Sequence, residues 1–412
     1  MATVLAVGPA VAGAQPAPPD GAPDASVVAA AAPVEVPFAP VLERVVAGDL
    51  VMAANSNVLA AGGWRRPGSA QADVDGDQSR LCIGRTYVPA ACADNSSSAS
   101  LDIPPGARVV AARLYVDTSV TAAVGPLRVR LDGPAEGYDY TELGAATPGI
   151  LKLYEASGGG RASTIVRQAV WDVTDYVGAA GPGSYTVADI VHERSGAWLP
   201  YASWAIVAAY ELDPSTEVRL TDLPPETQAR FAPRALSWFD GFLVRSEGSI
   251  DVQVGGYQVT AGAPVFAKTF HIVAHAQARA ADNILFAGGP LGNNHTPGNG
   301  APPVGVVVGA DPACNSTTDV FNDSICVLGT AVAAKSPGPT AYRASGDGVT
   351  PTSGSAVDMD VTRVPDRYLA AGTTSATLSV QAVGGDPIAP GMLAASVDLA
   401  PVPAQPAAVA DP

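Results

Sequence analysis

The sequence predicts an all-β protein built from two antiparallel, jelly-roll-like β-sandwich domains with short helical turns. Three observations carry this prediction. Hydrophobicity alternates with period two in many short runs, and no stretch holds a 3.6-residue period over three turns. Turn formers are abundant: 43 Gly and 37 Pro in 412 residues, against only 15% charged residues, fit many short strands joined by turns.

The strands follow in chain order. In 109–116, Val110, Ala112, Leu114 and Val116 share one face, and Val109, Ala111, Arg113 and Tyr115 the other. Residues 127–132 set Leu127, Val129 and Leu131 against Arg128, Arg130 and Asp132. The run Trp204 to Tyr210 is apolar throughout and predicts a central strand buried on both faces. Residues 249–254 alternate Ile250, Val252 and Val254 with Ser249, Asp251 and Gln253. In 357–362, Val357, Met359 and Val361 oppose Asp358, Asp360 and Thr362. In 375–382, Ala376, Leu378, Val380 and Ala382 oppose Ser375, Thr377, Ser379 and Gln381. Each alternating strand is expected to put one face on a core and the other in water.

A weak internal repeat points to two similar sandwiches. VWDVTDYVGAAGPGSYTV (170–187) and VDMDVTRVPDRYLAAGTTSATLSV (357–380) both run from a strand with Asp-Val-Thr through a short turn and glycine into a second strand. Thr174 and Asp175, or Thr362, are expected to cap a helical turn that Gly178 or Gly372 ends at positive φ. The expected organisation is a signal-like segment at 1–14, an Ala/Pro-rich linker at 15–40, sandwiches at 41–213 and 214–401, and a disordered tail at 402–412.

Charge and composition exclude some classes. The formal charge of −16, with only Lys152, Lys268 and Lys335 as lysines, makes a poor nucleic-acid binder. No apolar run reaches the ~18–20 residues of a membrane span. The apolar start TVLAVGPAVAGA ends in the small residues of an export cleavage site but lacks a positive flank, the first basic residue being Arg44. The expected location is secreted or extracellular, with cell-wall association. The cysteines Cys82, Cys92, Cys314 and Cys326 then suggest disulfides. Three connectivities are open. The local pairs 82–92 and 314–326 are the economical choice, each worth about 2.5–3 kcal/mol. The two-to-four-residue spacing of a cysteine zinc site is missing.

Several residues are candidates for a site. Asp73, Asp75 and Asp77 in DVDGDQS form an acidic loop that could curl around calcium, although glycine stands fourth rather than sixth and no Glu occupies position twelve of an EF-hand pattern. The competing reading is a solvated acidic turn. Asp311, Asn315, Asp319, Asn322 and Asp323 offer a weaker second cluster. His271 and His275 lie in a strand-like run, where four residues separate them by ~13 Å, so both read as structural histidines. No serine elbow, HExxH or phosphate-binding loop is present. Trp198 and Tyr201, around a turn before the buried strand, are candidate ligand-binding aromatics that could stack on sugar.

The strings GDLVMAANS (48–56), DVDGDQS (73–79), NSSSASLDIPPGARVVAARLYVD (95–117), WDVTDYVGAAGPGSYTVADI (171–190), YASWAIVAAYE (201–211), WFDGFLV (238–244), TDVFNDSI (318–325) and MLAASVDLAP (392–401) together resemble the β-rich head region of exported Gram-positive surface proteins. In that family the head precedes repeats of a domain of unknown function. The resemblance implies a non-catalytic, adhesin-like or structural β-sandwich protein whose partners are a cell-surface protein or glycan. The repeat array and anchor have no counterpart in these residues, so the expected forms are a secreted head, a head held by a partner, or a building block of a larger assembly. Two alternatives accompany this expectation: a carbohydrate-binding module using the aromatic loop, and self-association in which the extended segment 27–53 completes a neighbour's sheet.

Overall fold

The computed structural model describes residues 35–59, 70–71, 96–120, 129–134, 138–144, 150–156, 164–190, 202–215, 219–260, 265–274, 282–291, 325–328, 330–331, 357–383 and 387–399. The chain enters through one long strand, β1 (Val36–Ser56), followed by a small ribbon of β2 (Val58–Leu59) and β3 (Ala70–Gln71). Next come β4 (Ser96–Leu101), β5 (Ala107–Val120), β6 (Val129–Asp132), β7 (Thr141–Leu143), β8 (Ile150–Ala156), β9 (Thr164–Asp172), helix α1 (Thr174–Ala180), β10 (Gly183–Ala188) and β11 (Ala202–Leu212). Helix α2 (Pro225–Arg230) leads into β12 (Pro233–Phe242), β13 (Gly248–Gly255), β14 (Ala267–Ala274), β15 (Asn283–Phe286) and β16 (Gly289–Pro290). The last elements are β17 (Ile325–Val327), β18 (Thr330–Ala331), β19 (Val357–Val364), a 3-10 turn at Asp366–Tyr368, β20 (Ser375–Ala382) and β21 (Ala389–Asp398). No helix among the described residues is long and apolar enough to cross a membrane.

The fold is an all-β sandwich, and its pairing reveals a duplication. One eleven-stranded sheet, β18-β17-β19-β14-β21-β12-β1-β11-β5-β9-β8, divides at β1 into two broad halves. The first sandwich pairs the half β1-β11-β5-β9-β8 with the narrow sheet β4-β10-β6-β7; the second pairs β12-β21-β14-β19-β17 with β13-β20-β15-β16. Counted from its own first strand, each sandwich has the same strand order. One difference is that β8 runs antiparallel to β9, whereas β17 lies parallel to β19 because the β18 hairpin intervenes.

Strand β1 belongs to both halves. Residues from Val36 to Ala47 pair with β12, and residues from Gly48 to Ser56 pair with β11. The switch falls at Gly48, where a Cβ would stand 1.9 Å from the Tyr210 carbonyl oxygen, so a side chain would push the strands apart. Pro37 and Pro40 sit in the half that forms a sheet edge, where a missing N–H is tolerated. Most of the segment expected to complete a neighbour's sheet is thus paired within its own chain.

The two broad sheets meet face to face, which makes four sheet layers and three cores. Leu114, Val116, Trp171, Tyr185, Trp204 and Ile206 fill the first sandwich. Val252, Phe286, Leu378, Val380 and Leu393 fill the second. Leu50, Tyr115, Val207, Trp238, Phe270, Met359 and Met392 fill the space between them. This central core corrects the expectation of one wet face per strand. On β5, Ala112, Leu114 and Val116 do face a core, but Tyr115 faces a second core instead of water. On β19, Val357, Met359 and Val361 enter the central core, while Asp358 and Asp360 on the opposite face are also fully buried. Strands β13 and β20 lie in the outermost layer, and β13 keeps the expected alternation, with Ser249, Asp251 and Gln253 exposed. Strand β11 is buried on both faces as expected for WAIVAAY.

The turns that carry the chain between sheets differ in detail from expectation. Helix α1 begins after Val173 without a side-chain cap from Thr174; the Thr174 N–H instead donates to the Asp172 carboxylate at 2.9 Å. Gly178 lies inside the helix, and Gly181, at φ 76°, ends it. In the second copy Thr362 stays in β19 and the turn begins after Pro365, while Gly372 takes the expected positive φ of 84°.

Candidate metal centre

Strands β14 and β19 run antiparallel, with His271 opposite Asp360 and Val273 opposite Asp358. Their apolar set, Phe270, Ile272, Val357, Met359 and Val361, is turned into the central core. Alternation therefore directs His271, Asp358 and Asp360 into the interior of the second sandwich. All three are fully buried. His271 Nε2 lies 2.8 Å from Asp358 Oδ1 and 3.9 Å from Asp360 Oδ2. One ligand-type atom from each residue falls within 4.8 Å of the others.

Burial holds the His271 imidazole below its usual pKa, and the Asp360 carboxylate works in the opposite direction. The ring is thereby kept towards its neutral, metal-binding form. A nitrogen and two carboxylates suit zinc-class ions, whereas calcium prefers six to eight oxygens. The parallel register of β17 against β19 also sets the Cys326 backbone opposite Asp360, extending the row from His271 across three strands. The burial of all three side chains keeps them from a bulky substrate, so the arrangement suits ion holding better than turnover.

The matching strands of the first sandwich are built differently. The outer-facing residues of β5 and β9 include Leu114, Val116, Ala169 and Trp171, which are apolar. Their polar pair faces the central core, where Gln168 Nε2 donates to Asp117 Oδ1 at 3.1 Å. Gln168 also packs on Gly391 of β21, where a Cβ would come 2.0 Å from Nε2.

A second buried cluster sits at the β1 switch. Lys268 Nζ donates to Asp49 Oδ2 at 2.8 Å and to the Leu50 carbonyl at 2.9 Å. Ser396 donates to Asp49 Oδ1 at 2.6 Å. Arg234 Nη1 stands 3.7 Å from Asp49 Oδ2, and its Nε donates to Asp398 at 2.7 Å. Burial lowers the Lys268 pKa, and the Asp49 charge pushes it back up. This network ties β1 to β12, β14 and β21 and reads as a structural lock.

The residues singled out from sequence fall elsewhere. Asp73, Asp75, Asp77, Cys82, Cys92, Cys314, Trp198, Tyr201 and His275 lie outside the described residues, and Cys326 is placed only by its backbone on β17. Trp204 is a buried strand residue whose indole N–H donates to Ser97 Oγ at 2.8 Å. The His271 cluster escaped sequence reading because Asp358 and Asp360 alternate with apolar residues, which is also the pattern of a solvent-facing strand. The signal that could have found it was the Asp-x-Asp spacing itself, read together with a histidine inside the apolar run FHIVA. Comparison of the chain with protein-family models, with curated proteins and with solved structures finds no match.

Proposed function

We propose that this protein is an exported, non-catalytic β-sandwich module with a structural or adhesive role at the cell surface. The observation that carries the reading is where the ionisable groups sit. Among the described residues, the one histidine and the two carboxylates facing it are sealed in a sandwich interior, and the best-bonded charged network locks strands together. Catalysis needs such groups in reach of a substrate. The export-like start, the formal net charge of −16 and the resemblance to surface-protein heads agree with this role. Calcium at Asp73, Asp75 and Asp77, and the pairs Cys82–Cys92 and Cys314–Cys326, belong to the same reading as devices that stiffen an exposed module.

The test is fractionation of producing cells, followed by binding of the full purified chain to isolated cell envelopes. The expected result is recovery in the medium or on the surface, with saturable envelope binding and no released product. Retention inside the cell, or release of soluble fragments from envelope polysaccharide, overturns the proposal. Glycan binding abolished by Trp198→Ala would move the role to carbohydrate recognition.

A further inference from the structure

We propose that His271, Asp358 and Asp360 form a binding site for one zinc-class divalent ion, clamping β14 to β19 inside the second sandwich. The proposal stands independently of the surface role above.

The geometry is close to what an ion requires. Donors ~2.0–2.2 Å from a tetrahedral ion lie about 3.4 Å from one another. Here the imidazole Nε2 is 2.8 Å from one carboxylate oxygen and 3.9 Å from the other. The first gap must open and the second close by about half an ångström, which side-chain rotation alone supplies. The backbones need not move, because the β14–β19 register already sets His271 opposite Asp360 and one diagonal step from Asp358.

The donor chemistry selects the ion. One imidazole and two carboxylates form a borderline set that prefers zinc, cobalt or nickel over calcium or magnesium. Carboxylates are expensive to bury, and a divalent cation offsets their charge at short range. Leu393, paired with His271 on the next strand, and Val364 belong to the apolar core of this sandwich, which excludes competing water and slows escape. Because the site is enclosed, the ion enters during folding and exchanges slowly afterwards.

The experiment is refolding of the full chain in zinc or in chelator, then dialysis against chelator and elemental analysis. The expected result is about one zinc per chain after refolding in zinc, retained through dialysis, and a loss of at least about tenfold in Asp358→Asn and in His271→Gln. X-ray absorption on the wild-type protein gives a readout that does not depend on the variants folding. It should show a nitrogen and oxygen shell at ~2.0–2.1 Å with imidazole scattering. A wild-type protein that refolds without stoichiometric zinc, variants that keep the wild-type content, or a shell of sulfur alone at ~2.3 Å each overturn the proposal.

Discussion

Lys268 illustrates how much one side chain carries in this protein. Its amine is the closest cation to Asp49, and both groups are buried where β1 leaves one sheet for the other. Breaking a buried pair typically costs about 3–5 kcal/mol, of which Arg234, 3.7 Å from Asp49, would offset a part. Lys268→Met should therefore lower the urea midpoint sharply, and adding Asp49→Leu should recover much of the loss. A Lys268→Met protein with unchanged midpoint would show that the contact is not made. Tyr210 acts at the same scale through pH. Burial raises its pKa from the usual 10.0 to about 12, and its hydroxyl donates to the Arg230 carbonyl at 3.2 Å. A raised folded-state pKa means that this contribution is complete below pH 10 and is lost as pH climbs towards 12. At ~1.4 kcal/mol per unit the loss is about 2–3 kcal/mol. Between pH 9 and pH 11 stability should fall by about half of that, roughly 1.3 kcal/mol, with the rest lost above pH 11, and Tyr210→Phe should flatten the decline. Some decline persists in that variant, because burial also raises Tyr115, Tyr185 and Tyr257.

Elements show the same physics over longer stretches. The β15–β16 hairpin closes through Ala287 and Gly288, at φ 52° and 76°. Two successive positive φ values match a type I′ turn, which favours Asn-Gly. Alanine in the left-handed region costs roughly 1 kcal/mol, so Ala287→Asn should raise stability by about 0.5–1 kcal/mol, read from the thermal midpoint. No gain would mean that the turn relaxes in solution. Strands in the outer layer and at the very centre were the legible ones. β13 alternates because one face is wet, and β11 is uniformly apolar because neither face is. Strand β5 misled because the second sandwich covers the face that should have been wet, and β19 because its polar face turns into its own sandwich while the first sandwich covers its apolar face; periodicity reports polarity rather than what lies opposite. Strand β1 begins inside the Ala/Pro-rich stretch expected as a linker at 15–40 and runs into the domain expected from 41; edge pairing accommodates Pro37 and Pro40, and the sheet switch accommodates Gly48. The candidate metal centre was hidden for a related reason. His271 and Asp358 are 87 residues apart, and only strand pairing brings them together.

At the scale of the whole molecule, duplication raises the question of whether the two sandwiches behave as separate units. The contacts between them argue that they do not. They share one strand, β1, and the central core holds Tyr115, Val166, Val170 and Val207 of one half against Trp238, Phe270, Met359 and Met392 of the other. Polar groups cross the same interface: the Trp238 indole donates to the Tyr115 hydroxyl at 3.0 Å, and Arg113 meets Asp240 at 2.7 Å. Unfolding either half would expose this core and strip β1 of one of its partners, so partial unfolding is penalised by several large apolar side chains at about 1.5–3 kcal/mol each. Calorimetry should therefore record one cooperative transition for the full chain. Trp238→Ala, which opens a cavity in the shared layer, should cost about 3–5 kcal/mol. Amide exchange makes the test specific: β5 and β11 in one half and β14 and β21 in the other should lose protection together in this variant. If protection fell only in β14 and β21, with the first sandwich melting at its original temperature, the halves would be independent folding units and the central core a passive contact between them.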